Sequence, residues 1–239
     1  MLVKTKAIVL SALKFQEKSL IVKCFTLSDG LKSYFVRDAF SGRKGNHKIA
    51  YFQPLTLLEI EAVHKNKGTL ENFKEIKISQ PFFSIPTDIF KSTIVMFLSE
   101  MLHHSIHEEE ANPDFFSFLE TALMWLDTND QISNFHLILL MEATKFLGFY
   151  PEDANPDHAY FEMREGIFVA FETVSCLNKS QSFLLKKLLE LRFDSSALLF
   201  NAKERQELLK IIIDYYALHL DGFRKPKSLE VVPNRISLI

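Results

Sequence analysis

The hydrophobic and polar positions change period once along the chain. Up to about residue 80 they alternate in the manner of strands. Lys6-Ala7-Ile8-Val9-Leu10 begins the pattern, and Ser19 to Thr26 (SLIVKCFT) continues it with β-branched and aromatic residues. Leu31 to Ala39 (LKSYFVRDA) is a third candidate, fed by a tight turn at Ser28-Asp29-Gly30. In a regular strand Leu31, Ser33, Phe35 and Arg37 share one face, and Lys32, Tyr34, Val36 and Asp38 share the other. Neither face is purely apolar, which predicts a bulge or a frayed end. The stretch 51–61 (YFQPLTLLEIE) alternates in its second half. Pro54 is expected at the start of that strand or on an edge, because it cannot donate to a ladder. Lys67-Gly68 makes a turn, and Leu70 to Ile78 supplies a fifth strand. Five short strands with no strong helix between them suit a small barrel. An OB-fold is one such barrel, and it binds nucleic acid on an exposed face with help from its loops.

From Pro81 onward the period is helical. Phe90, Ile94, Phe97, Leu98, Met101 and Leu102 recur at mostly helical spacing after the start signals of Ser84 to Asp88. Asn112-Pro113-Asp114 is a second start, with Asn112 as N-cap and Pro113 at the first helical position. A third helix runs from about Ser133 to Leu147 and stops at Gly148, with Pro151 beyond. Residues 152–175 lose the period, and Tyr160–Met163 with Ile167–Ala170 predict a short hairpin around Glu165-Gly166. Helices resume over 182–191 and over 201–220, the latter with Asn201 as N-cap and Gly222 just past its end. The expected fold class is therefore α+β. A five-stranded OB-fold barrel occupies residues 1–80, and a mainly α-helical domain occupies 81–239, with a small irregular or hairpin insertion near 152–175.

Charge sharpens this division. The chain of 239 residues carries a net charge of −2, but residues 1–80 hold 14 Lys and Arg against 7 Asp and Glu. The remainder holds 14 against 23. A basic part joined to an acidic part suggests that the first attracts a polyanion. The most basic run, Ser41-Gly42-Arg43-Lys44-Gly45-Asn46-His47-Lys48, has two glycines and no acid. Its glycines allow close backbone approach, and Arg43, Lys44 and Lys48 can neutralise phosphates. Among the nearby rings, Tyr34, Phe35, Phe40, Tyr51 and Phe52, one or two are candidates for base stacking and the rest for barrel core. The chain has 23 phenylalanines, so aromatic packing should dominate its interior. It has no apolar run of 18 residues, so no transmembrane helix is implied. Two distant cysteines, Cys24 and Cys176, and no signal-peptide pattern fit a reduced, cytoplasmic protein.

Catalytic chemistry has little support. Walker A, dinucleotide, nucleophile-elbow and zincin motifs are all missing from the sequence. His103-His104-Ser105-Ile106-His107-Glu108 offers imidazoles one helical turn apart, a spacing that can bind zinc, but no third ligand stands at a supporting position. No catalytic residue, cofactor or metal is expected. In the acidic helical region Lys145, Lys186, Lys187, Arg192, Lys203 and Arg205 are candidates to frame a groove for an acidic peptide tail, or else are ordinary solvated charges.

The opening KTKAIVLSALKFQEKSLIVKCFTLSDGLKSYFVRDA resembles the start of the RecO family of bacterial recombination mediators, with Glu17-Lys18-Ser19 and Asp29-Gly30 at the family's characteristic places. FQPLTLLEIE (52–61), EEEANPDFFSFLETALMWLD, FHLILLMEATKFLGFYP and KSLEVV (227–232) resemble later family segments in the same order. The resemblance implies binding of single- and double-stranded DNA, annealing of complementary strands, and help in loading recombinase onto coated single strands. It also implies partnership with RecR and with the acidic C-terminal tail of the single-stranded-DNA-binding protein, in the cytoplasm at the nucleoid. The candidates for DNA contact are then Lys4, Lys6, Lys32, Arg37, Arg43, Lys44 and Lys48, with Lys32 and Arg37 the weakest because a regular strand points them to opposite faces. Lys145, Lys186, Lys187 and Arg192 are the candidates for partner contact. Many members carry a four-cysteine zinc module after the helix end that matches Leu147-Gly148-Phe149. Here PEDANPDH follows, so the hairpin at 160–170 is expected to hold that region without metal. An RNA-binding OB protein and a metal-dependent hydrolase using His103, His104 or His107 are the alternatives.

Overall fold

The computed structural model describes residues 1–40, 49–65, 69–152, 157–195 and 199–230. The basic run 41–48 lies outside them. The chain divides into two compact units, residues 1–128 and 129–239.

In the first unit, strands β1 (Leu2–Phe15), β2 (Ser19–Thr26), β3 (Gly30–Val36), β4 (Leu57–Val63) and β5 (Asn72–Ile78) form one antiparallel sheet in the order β3-β2-β1-β4-β5. The sheet closes on itself. The Phe35 N–H donates to the Glu71 carbonyl at 2.9 Å, and the Glu71 N–H to the Ser33 carbonyl at 2.8 Å, in a parallel bridge between Tyr34 and Glu71. The closed five-stranded sheet followed by helices is the expected OB-fold arrangement. Its interior holds Ala7, Val9, Val22, Cys24, Tyr34, Phe52, Ile60 and Ala62. Tyr34 reconciles a buried hydroxyl with this apolar setting by meeting His64 Nε2 at 2.8 Å, and the other ring nitrogen of His64 lies 3.2 Å from Asp29.

Several strand limits differ from expectation, with β4 beginning only at Leu57, past Pro54, and β5 at Asn72 rather than Leu70. β3 ends at Val36 rather than Ala39, and β1 is far longer than the segment 6–10. A bulge between Val9 and Ser11 breaks the alternation of β1. Val9 pairs with Cys24 and Ala12 with Val22, so Leu10 is the extra residue. Its carbonyl accepts the Ser99 hydroxyl at 2.6 Å. A one-residue insertion inverts every later side chain. Without it Leu13 and Phe15 would enter the barrel; with it they face outward.

Helices α1 (Ile89–Ser105) and α2 (Pro113–Thr128) belong to the same compact unit. Asp88 caps α1, and Asn112 caps α2 by accepting the Phe115 N–H at 3.0 Å. Phe25, on the outer face of β2, lies against Phe115 and Phe116 of α2. The segment 83–85, leading into α1, is fastened to the end of α2 by Asp127. Its carboxylate accepts the N–H groups of Phe83, Ser84 and Ile85 at 2.8, 2.8 and 2.9 Å. Burial would raise the Asp127 pKa, but these backbone donors outweigh it and hold the pKa below the usual range. Asp127→Ala strands three donors around a 5% exposed position. It is expected to destabilise this unit by about 2–4 kcal/mol. Urea unfolding monitored on the barrel signal tests this, and an unchanged midpoint would refute the fastening role.

The second unit contains α3 (Phe135–Leu147), the hairpin β6 (Tyr160–Glu162) and β7 (Ile167–Val169), α4 (Lys179–Leu189), α5 (Ala202–His219) and a 3-10 turn at Lys227–Glu230. Gly148 ends α3 at φ 84°, as its position predicts, and Asn201 with Glu204 forms a capping box on α5. α4 begins at Lys179 rather than Ser182, because Asn178 and Gln181 form a second capping box. The predicted hairpin is present. Glu162 organises it, accepting the Ser175 hydroxyl and, at 2.6 Å, the Glu165 N–H. Burial opposes ionisation of Glu162, yet the Ser175 and backbone hydrogen bonds prevail and lower its pKa.

Candidate nucleic-acid interface

The barrel presents two charged surfaces of different character. On the β1-β4-β5 side, cations alternate with acids. Lys4 lies 3.3 Å from Glu61, Lys6 2.8 Å from Glu120, and Lys77 2.8 Å from Glu75. Lys4, Lys6 and Lys77 share a shallow hollow with Glu59, Glu61 and Glu75. Exposed pairs such as these add little stability, but each acid offsets the attraction its partner would offer a phosphate.

At the seam between β3 and β5 the picture differs. A cleft of about 450 Å³ is lined by Phe35, Arg37, Tyr51, Phe73, Lys74 and Ile76, among others. Its floor is aromatic: Phe73 stacks on Tyr34 at 4.0 Å between centroids and on Phe52 at 5.8 Å. Tyr34 and Phe52 are buried core, whereas Phe35, Tyr51 and Phe73 are half-exposed. Arg37 and Lys74 are exposed, and among the described residues neither makes an ion pair. Cations without carboxylates beside half-exposed rings can hold phosphates and bases together.

The predicted contact residues therefore separate. Arg37 sits in the cleft. Lys4 and Lys6 sit on the mixed-charge side. Lys32 points inward opposite Cys24, is 7% exposed, and places its ammonium 3.6 Å from Glu109. The regular alternation of β3, read correctly, carries this result: Lys32, Tyr34 and Val36 are the inward set. Arg43, Lys44 and Lys48 lie outside the described residues. Lys74 escapes a sequence reading because the exposed strand NFKEIKI mixes two lysines with a glutamate, and nothing in that pattern sets Lys74 apart from Lys77.

The histidine cluster does not assemble a metal site. α1 ends at Ser105, so His107 lies beyond the helical face that His103 occupies. Burial, with the Lys23 charge adding to it, lowers the His103 pKa to about 4, and His104 lies 4.0 Å from Glu100. Among the described residues no group of three or more His, Cys, Asp or Glu is placed to hold a metal ion. Burial also pushes the Cys24 thiol well up, which removes it as a nucleophile at neutral pH.

In the second unit Lys145 and Arg192 converge on Glu142, at 2.6 and 3.8 Å. The Lys145 ammonium also stands 4.4 Å from the centre of the Tyr150 ring. Lys186 and Lys187 occupy the last turn of α4, with Lys187 over the exposed Phe183 ring at 4.5 Å. Lys203 lies in the first turn of α5, and Arg205 is buried, donating to the Phe200 carbonyl at 2.7 Å.

Comparison with known proteins agrees with this architecture. Residues 1–82 match the family described as Recombination protein O N terminal, and residues 86–230 the family described as Recombination protein O C terminal. The DNA repair protein RecO of Flavobacterium psychrophilum is 68% identical over 233 residues, covering 97% of this chain and 98% of that one. That of Flavobacterium johnsoniae is 69% identical over 232 residues, with the same coverage. The RecO of Bacteroides fragilis is 38% identical over 239 residues, again covering 97% and 98%. With both halves of the fold matched in order and whole-length relatives this similar, the chain belongs to the RecO family of DNA repair proteins.

Proposed function

We propose that the protein acts without chemistry of its own, as a mediator that binds single- and double-stranded DNA through the barrel, anneals complementary strands and helps load recombinase onto coated single strands. The observation that carries this reading is the β3–β5 cleft, where Arg37 and Lys74 stand beside Phe35, Tyr51 and Phe73. The basic residues Arg43, Lys44 and Lys48 follow Arg37 in the sequence and are assigned to the same role, and Lys4 and Lys6 contribute less because of their acidic partners. Annealing follows from shielding two negatively charged strands while most bases stay free to pair. The cations Lys145, Lys186, Lys187 and Arg192 form the docking ground for RecR or for the acidic tail of the single-stranded-DNA-binding protein, which would displace Glu142 from Lys145 and Arg192. Such a mediator works in the cytoplasm at the nucleoid; among the described residues no helix is long and apolar enough to cross a membrane.

Fluorescence anisotropy of a labelled single strand, titrated at several salt concentrations beside RNA of the same sequence, tests the reading. Binding is expected to weaken with salt at about 0.7 log units per log unit for each phosphate contacted. RNA bound more tightly than DNA would favour the RNA-binding alternative. No binding at low salt would refute the nucleic-acid role of the barrel.

A further inference from the structure

Strand β5 is the last strand of the sheet, and its outer edge carries a self-complementary pattern of charge. Against β4 it pairs Glu75 with Glu61, Ile76 with Ile60, Lys77 with Glu59 and Ile78 with Leu58. The Ser79 N–H donates to the Leu57 carbonyl at 2.9 Å, which sets the phase of this ladder. Bonding residues alternate along an antiparallel strand. Glu75 and Lys77 therefore bond to β4, and the N–H and C=O groups of Ile76 and Ile78 point the other way. On that side β3 reaches only Glu71, before β5 begins, and among the described residues no backbone group meets Ile76 or Ile78 there. Side chains alternate too. Glu75 and Lys77 share one face, are exposed and lie 2.8 Å apart, beside Lys4, Glu59 and Glu61. Ile76 and Ile78 share the other face, and Ile78 is 43% exposed. Lys74 is the extra residue of a bulge, which ends the regular edge.

We propose that this edge pairs antiparallel with the same edge of a second copy of the chain, about a two-fold axis at Ile76. A residue on such an axis exchanges N–H and C=O bonds with its own counterpart, and Ile76 presents both groups outward. Glu75 of each copy then stands opposite Lys77 of the other. Side chains opposed in this way have Cβ atoms about 4.5–5.5 Å apart, within reach of an ion pair. Charges on an edge strand ordinarily keep it from pairing. Here they select one register. Moving the axis to Glu75 or to Lys77 sets that residue against its own copy, like charge to like. Moving it to Ile78 sets Lys77 against Ser79 and leaves both charges without an opposite. Any extended peptide supplies backbone groups, but the arrangement of charge about Ile76 matches this chain itself. The contact is short, limited by the bulge at one end and the end of β5 at the other. Lys74 and Ile76 also line the cleft, so a paired copy covers one of its walls.

Sedimentation velocity on the full chain, carried up to about 0.2 mM because so short a contact belongs to the weak class, is expected to show reversible dimers. Glu75→Lys alone and Lys77→Glu alone each set like charges opposite one another. Each is expected to weaken association by about tenfold, because the axis repeats every contact. In an equal mixture of the two variants every one of these charges meets its opposite across the contact. Association is then expected to return to within about threefold of that of the unaltered protein. Charges that merely solvate the surface would give no such rescue. A protein that stays monomeric over this range overturns the proposal. So does association that persists undiminished in both single variants, and so does a mixture that associates no better than either variant alone.

Discussion

Gly30→Ala is expected to destabilise the barrel unit by about 3–5 kcal/mol, far more than the loss of a glycine usually does. Gly30 has φ +62°, and a Cβ there would stand 2.2 Å from the Glu110 carbonyl oxygen and 2.8 Å from that of Glu108. Both obstacles are backbone and cannot swing aside. To admit a methyl group, segment 108–110 must leave the β2–β3 turn. That movement breaks the 3.0 Å hydrogen bond from the Leu31 N–H to the Glu108 carbonyl and withdraws Glu109 from the buried Lys32. Gly148→Ala is the control. Gly148 has a similar φ of +84° but nothing within 4 Å of a would-be Cβ. It should lose only about 1–2 kcal/mol, the ordinary penalty of a left-handed residue. Thermal and urea unfolding of the two variants decide the matter. Equal losses would mean that conformation alone, not close approach, explains Gly30.

Reversing two charges in the cleft should have the largest effect on binding. Arg37→Glu with Lys74→Glu is expected to weaken single-stranded DNA binding by about tenfold to a hundredfold at ~0.1 M salt and to flatten the salt slope by about 1.4, two contacts at 0.7 each. Lys4→Glu supplies the contrast, because Lys4 already faces Glu61 at 3.3 Å on a side where acids and cations alternate. Its affinity should change by less than about threefold. An equal loss in both proteins would place the phosphate path on the β1-β4-β5 side instead.

Much of the fold was legible in the sequence because its signals are local. Asn112 before Pro113, Asn201 three residues before Glu204, and Gly148 after an apolar run each act on the backbone within a turn of themselves, and each does so in the structure. The five strands were likewise visible as alternations. The bulge was not, because an inserted residue has no composition of its own, and it decides where Leu13 and Phe15 point. Lys32 was ambiguous for the opposite reason. Its inward direction follows from the alternation of β3, but a lysine is credible there only with Glu109, which lies on a distant segment. Arg37 looked weak as a partner of Lys32. Separated from Lys32 and set beside Lys74 and Phe73, it gains a context that no single strand displays. Arg43, Lys44 and Lys48, the most conspicuous basic residues, remain a reading of the sequence.

The closure of the barrel gives it a mechanical asymmetry. Four of its joints are full antiparallel ladders, whereas the described residues at the β3–β5 seam contribute two backbone hydrogen bonds through Glu71. Such a barrel is a split ring, and any hoop tension concentrates at the split. Phe35 donates one of those two bonds and also lines the cleft. On the proposed reading, a strand seated in the cleft would lie across the split and act as a clasp, so the ring would be stiffest when occupied.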